Sequence, residues 1–193
     1  MTELPPRQET LADRLGRVGQ RRPATEAEAK ALASEMRLRI LRVCLDEPRT
    51  NREIAERIGV NPGTTLHHVR KLVDTGFLAA QKPRRGSRGA REIPYLATGK
   101  SWRLGPPDAA VTARYTSTHA MVDAFLQEFS RVEDLGTVLM TRVGLWLTEA
   151  ERDELDRRLH AILEQHLGRR SPGAQPYSLF TVVHPDVGRS GAA

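Results

Sequence analysis

Along residues 50–75, TNREIAERIGVNPGTTLHHVRKLVDT, apolar positions recur at helical spacing in two short blocks. Ile54, Ala55 and Ile58 form the inward stripe of the first. In the second, Thr65, Leu66, Val69, Leu72 and Val73 share one side of a helical wheel. Thr50 and Glu53 have the S/T-x-x-E spacing of a capping box, where each side chain satisfies a backbone donor at the helix start. Gly59 tolerates left-handed backbone angles and so ends the first helix. Asn61 caps the second, and Pro62 suits its first turn, where no amide partner is needed. The pattern predicts two helices joined by a tight turn, the second running from Asn61 to Thr75.

The polar positions then change what such a hairpin is for. The second helix carries Gly63, Thr64, His67, His68, Arg70 and Lys71 opposite its apolar side, with no large apolar residue among them. Hydroxyls, imidazoles and cationic heads are the groups that reach base edges and phosphates. After Gly76, two β-competent runs, FLAAQKP and EIPYLAT, flank a glycine-rich loop bearing Arg84, Arg85, Arg88 and Arg91. An arginine-tipped hairpin directly behind a helix-turn-helix reads as a wing that straddles the phosphate backbone or enters the minor groove.

The rest of the chain divides around this segment. Residues 1–23 read as a mobile arm. Thr25 and Glu28 make another capping box, and Ser34 starts a helix whose Met36, Leu38, Ile40, Leu41, Val43, Cys44 and Leu45 supply most of a small core, stopped by Pro48. Trp102 and the GPP at 105–107 mark a hinge. Beyond it, a long helix over about Asp108–Val132 places Val111, Tyr115, Thr118, Val122, Phe125, Phe129 and Val132 at alternating steps of four and three, a heptad seam of which Thr118 is the weak position. Val138–Leu147 and Tyr177–His184 alternate like strands. Between them Thr148 and Glu151 open a helix with the stripe Leu155, Leu159, Ile162, Leu163 and Leu167, ended by Gly168. The expected architecture is α+β: a winged helix-turn-helix over 24–102, then a long dimerisation helix and a small strand-helix-strand lobe over 103–193.

The stretch ALASEMRLRILRVCLDEPRTNREIAERIGVNPGTTLHHVRKLVDTGFL resembles the winged helix-turn-helix of bacterial ArsR-type repressors, through RLRIL, EIAERIGV, HHVRKL and the closing D-T-G-F-L. The resemblance spans residues 25–98. It implies a homodimeric repressor whose recognition helix is Asn61–Thr75. Where the family's recognition helices often carry Ser-x-His-Leu, this chain has Leu66-His67-His68-Val69, so Leu66 stands at the Ser position.

Charge sharpens the picture. Residues 21–102 hold 17 Lys/Arg against 9 Asp/Glu, while residues 103–193 hold 10 against 12, so the excess of the whole +6 chain lies on the segment that reads as a DNA binder. The single cysteine excludes an internal disulfide and fits a reducing cytoplasm. No apolar run nears the roughly twenty residues needed to span a bilayer, and MTELPPRQET has no apolar core of a secretory signal. Cys44 is alone on an apolar face, and His160 and His166 fall near opposite faces of their helix, so neither points to a metal site. No nucleophile elbow, phosphate-binding glycine loop or paired-carboxylate constellation is present, and no cofactor or catalytic residue is expected. Tyr115, His119, Phe125, Trp146, Tyr177 and Phe180 are candidates to line a pocket for an unidentified small-molecule effector.

The reading is therefore a cytoplasmic, non-enzymatic regulator whose partners are double-stranded DNA and a second copy of itself. Thr64, His67 and His68 are the base-edge candidates, with Asn61, Gly63 and Thr65 beside them. Arg52, Arg70, Lys71, Arg84, Arg85, Arg88 and Arg91 are the phosphate candidates. The dimer seam is Val111, Tyr115, Val122, Phe125, Phe129 and Val132. Two rival readings use the same fold: a sequence-blind architectural DNA binder and a protein-interaction module.

Overall fold

The computed structural model describes residues 22–86, 89–105, 111–167 and 171–187. Most of the arm, Arg88, the start of the long helix at Asp108, the stop at Gly168 and the C-terminal tail lie outside them, as do the side chains of Val111 and Tyr115. The described residues form an α+β structure of six α-helices and seven short strands. Two compact units meet between Gln127 and Glu128, inside the long helix, where the sequence reading sets its boundary at 102/103.

In the first unit, α1 (Glu26–Leu32), α2 (Glu35–Val43), α3 (Asn51–Ile58) and α4 (Pro62–Asp74) start where side chains can cap them. Thr25 with Glu28, and Thr50 with Glu53, form complete capping boxes. The Ser34 side chain accepts from Arg37 N, and Asn61 Oδ1 accepts from Gly63 N at 2.7 Å. Gly59 ends α3 at φ 72°, a left-handed angle that a residue with a Cβ reaches only at a cost. At the end of α4, Phe77 N donates to Leu72 O (2.8 Å) and Gly76 N to Val73 O (2.9 Å). That is a Schellman closure, and it turns the chain so that Phe77 enters the core.

Strands β1 (Arg22–Pro23) and β7 (Leu104–Gly105) pair in parallel, so the last two residues of the expected mobile arm are held in structure. Strands β2 (Arg49–Thr50), β3 (Leu78–Ala80) and β6 (Pro94–Ala97) form an antiparallel sheet in the order β2-β6-β3. Strands β4 (Arg84–Arg85) and β5 (Arg91–Glu92) pair separately, Arg84 opposite Glu92 and Arg85 opposite Arg91. The core joins Ala31, Ile40, Leu41, Cys44, Ile54, Ile58, Val69, Leu72, Phe77, Leu78 and Ala97. Every helix of the hairpin thus spends its apolar stripe on one shared interior. α2 ends at Val43, five residues before Pro48; Cys44 remains buried, and its carbonyl accepts from Ala97 N.

α5 (Val111–Phe129) buries Ala120 and Ala124, while Val122, Phe125 and Phe129 are half-buried and Val132, just beyond it, is exposed. The second unit contains α6 (Glu149–Glu164), opened by the expected Thr148–Glu151 capping box. On its exposed face Arg157 and Arg158 both pair with Glu154, and Asp153 pairs with Arg152. The expected strands over 138–147 and 177–184 do not form: neither segment joins a ladder among the described residues. Alternation assigns side chains to two faces, but a strand exists only where a neighbouring edge accepts its amides and carbonyls. Leu139 is 101% exposed and Val143 68%, so these side chains are not packed against a core among the described residues.

Candidate nucleic-acid interface

α4 sorts its residues by the 100° step of a helix. Thr65, Val69 and Leu72 are buried, whereas Asn61, Gly63, Thr64, His67, Arg70 and Lys71 are exposed. The exposed set contains two of the three base-edge candidates and both helix cations. The expectation for Thr65 fails: it is 0% exposed, and its hydroxyl donates to Asn61 O at 3.1 Å, back along the helix. His68 is half-buried rather than presented. Burial first, then the charges of Arg37 and His67, lower its pKa from the usual histidine value, which favours the uncharged ring. Its Nδ1 is buried with no hydrogen-bond partner among the described residues, and its ring meets His67 edge-on at 5.6 Å. Having one side on the core stripe and one on the polar stripe, position 68 goes to the body of the domain. His67 is left as the presented imidazole.

The cations divide in a way that counting could not show. Arg37 donates to Ala31 O and Lys30 O at the end of α1, and Arg49 Nε to Val43 O at the end of α2. The buried Arg39 donates to Ile58 O at the end of α3, at 2.8 Å. Lys100 Nζ donates to Thr75 O at the end of α4, at 2.6 Å. Each of these helices therefore has its carboxyl end, where carbonyls lack partners and the dipole is negative, closed by a cation from elsewhere in the chain. Lys100 also joins Arg22 in holding Glu28, whose carboxyl stays far below the usual carboxylate range chiefly through the Arg22 hydrogen bonds. Much of the basic surplus of residues 21–102 is consumed inside the domain.

Of the predicted phosphate ligands, Arg52 is paired with Glu56 (2.9 Å) and Arg84 with Glu53 (2.5 Å). Arg85 and Arg91 are exposed, make no ion pair among the described residues, and face each other across β4–β5. Like charges directly opposite destabilise a strand pair, so this arrangement favours an anion between them. Lys82, exposed two residues before Arg84, belongs with this cationic edge. The sequence reading passed over it because it sits in a strand-like run and not in the glycine-rich loop.

Of the candidates for an effector pocket, Trp146 is 80% exposed and Tyr177 83%. An open groove of 330 Å³ lies instead over the α3–α4 turn, lined by Arg52, Ala55, Glu56, Gly59, Val60 and Pro62. His160 Nδ1 and His166 Nδ1 lie 2.8 and 3.0 Å from the carbonyls of Asp156 and Ile162. Among the described residues no group of three His, Cys, Asp or Glu side chains is placed to hold a metal ion. Burial pushes the Cys44 thiol up to about 12, which keeps it protonated. It is therefore expected to resist maleimide in the native protein and to react once denaturant is added; rapid native labelling, followed by mass spectrometry, would contradict this.

Residues 32–80 match a family model described as a helix-turn-helix domain, a span that runs from the end of α1 to β3. Comparison with curated proteins gives no match. Among solved structures, a single-site variant of ZitR from Lactococcus lactis aligns at 18% identity, covering 68% of this chain and 73% of that one, with a TM-score of 0.31. The transcriptional regulator SlyA aligns at 16%, covering 68% and 73%, with a TM-score of 0.29. The adhesin competence repressor AdcR from Streptococcus pyogenes aligns at 14%, covering 74% and 81%, with a TM-score of 0.26. Among the described residues no helix is long and apolar enough to cross a membrane.

Proposed function

We propose that this chain is a sequence-specific DNA-binding regulator of the ArsR type, a cytoplasmic, non-enzymatic homodimer that acts as a repressor. One observation carries the reading. A helix-turn-helix presents a polar second helix free of large apolar groups, and the chain after it brings two uncommitted arginines face to face on a short hairpin. α4 enters the major groove, where Thr64 and His67 meet base edges and Arg70 and Lys71 meet flanking phosphates. Arg85 and Arg91 clamp a phosphate at the wing. α5 supplies the dimer seam, and its half-buried Val122, Phe125 and Phe129 support that role. A twofold pair then sets two copies of α4 about 34 Å apart, one helical turn of DNA. Residues 103–193 are the dimerisation and effector part.

The test is to select bound fragments from genomic DNA with the purified full chain. Recovery of a shared, twofold-symmetric sequence supports the proposal, whereas recovery of random sequence points to an architectural binder. Within that assay, His67→Ala is expected to relax preference at one or two base positions by about 1–3 kcal/mol each, the worth of a base-edge contact. Unaltered preference would remove His67 from the reading face.

A further inference from the structure

The wing is joined to the helix-turn-helix by charge as well as by chain. Glu53 uses both carboxylate oxygens: Oε2 accepts from Thr50 N at 2.8 Å to close the capping box, and Oε1 accepts from Arg84 Nη2 on the wing. Across β4–β5, Arg84 stands opposite Glu92. Two residues thirty-one positions apart thus join the wing stem to the first turn of α3.

We propose that Glu53 and Arg84 are positioning residues for DNA binding, which fasten the stem of the wing to α3 and themselves contact no phosphate. The proposal rests on the DNA-binding reading above and deepens it. The wing needs such a fastening. A two-residue ladder is marginal alone, and this one carries Arg85 directly opposite Arg91. An exposed ion pair adds little to the stability of a whole domain. It acts differently on a hairpin with almost no core of its own, because there it selects which orientation is populated. Glu92 supports the same seating: its side chain folds over Gly86, where a Cβ would lie 2.4 Å from the Glu92 carboxylate. A residue larger than glycine at 86 displaces that carboxylate from the stem.

The sign of one substitution separates this role from the alternative. Glu53→Gln keeps the capping box, since glutamine serves at that position, and removes a negative charge from the DNA-binding domain. If Glu53 merely stood near DNA, its loss would tighten binding. As a fastening, its loss weakens binding. Binding of the full chain to a fluorescein-labelled duplex recovered in the genomic selection is to be measured by anisotropy over a range of salt, with thermal melts confirming that each variant folds. Glu53→Gln and Arg84→Gln are each expected to weaken binding about threefold, with the salt slope unchanged and the double variant no weaker than either single one. Tighter binding by Glu53→Gln overturns the proposal, as does a slope reduced by about 0.9 in Arg84→Gln, the signature of a lost phosphate contact. Wild-type protein with no salt-dependent binding would instead overturn the DNA-binding reading itself.

Discussion

Replacing Arg85 and Arg91 together with glutamine is expected to reduce the slope of log affinity against log salt by about 0.9, the one phosphate they clamp between them. At 0.1 M salt that corresponds to roughly an eightfold loss of affinity, measured from the 1 M reference where the counterion term vanishes. Two further results accompany it if the assignment is right. Preference among sequences stays the same, because phosphate contacts position the protein and carry no base information. Stability does not fall, because the substitution removes two like charges that face each other across β4–β5 and make no ion pair among the described residues. Loss of binding with unfolding, or an unchanged slope, would refute the clamp. Anisotropy titrations at four or five salt concentrations, with a melt of each protein, decide the matter.

Phe77→Ala is expected to cost about 3–5 kcal/mol, a large part of the roughly 5–15 kcal/mol that holds a domain of this kind together. Phe77 is 1% exposed and is the largest fully buried side chain described. It lies where the Schellman closure of α4 delivers the chain into the sheet, so its ring is packed among the core residues of α2, α3 and α4. Removing the ring leaves a cavity that these helices cannot fill without losing their own contacts. Lys100 Nζ, 5.2 Å from the ring centroid, loses its aromatic partner as well. The midpoint of urea unfolding should fall accordingly, and DNA binding should be lost through unfolding. A midpoint within error of the parent would show that the core is built differently. The two variants are complementary: one removes binding from a folded domain, the other removes the fold.

How far this structure can be read from the chain differs element by element. The three capping boxes at Thr25, Thr50 and Thr148 are local chemistry, a hydroxyl and a carboxylate three residues apart, and all three form. The same holds for Gly59, Asn61 and Pro62, which bracket the turn of the helix pair. His68 shows where locality stops. On the wheel it shares the polar side with His67, but in the folded domain it is half-buried and feels the charge of Arg37 from α2. The segments 138–147 and 177–184 show the limit from the other side, since an alternating pattern cannot state which edge it will meet.

By itself, then, the sequence determined where α1 to α4 and α6 begin, which stripe of α3 and α4 turns inward, and that a polar helix is followed by an arginine-bearing hairpin. These depend on side chains within four residues of one another, whose geometry the backbone sets. Only the tertiary structure decided what each cation does. Arg37, Arg39, Arg49 and Lys100 close helix ends, Arg84 meets Glu53, and Arg85 and Arg91 are left facing each other. The physical reason is that a guanidinium is indifferent to the source of its partner oxygens. Carbonyls at a helix end, a carboxylate on another element and a phosphate all satisfy it, and only the fold determines which comes within reach.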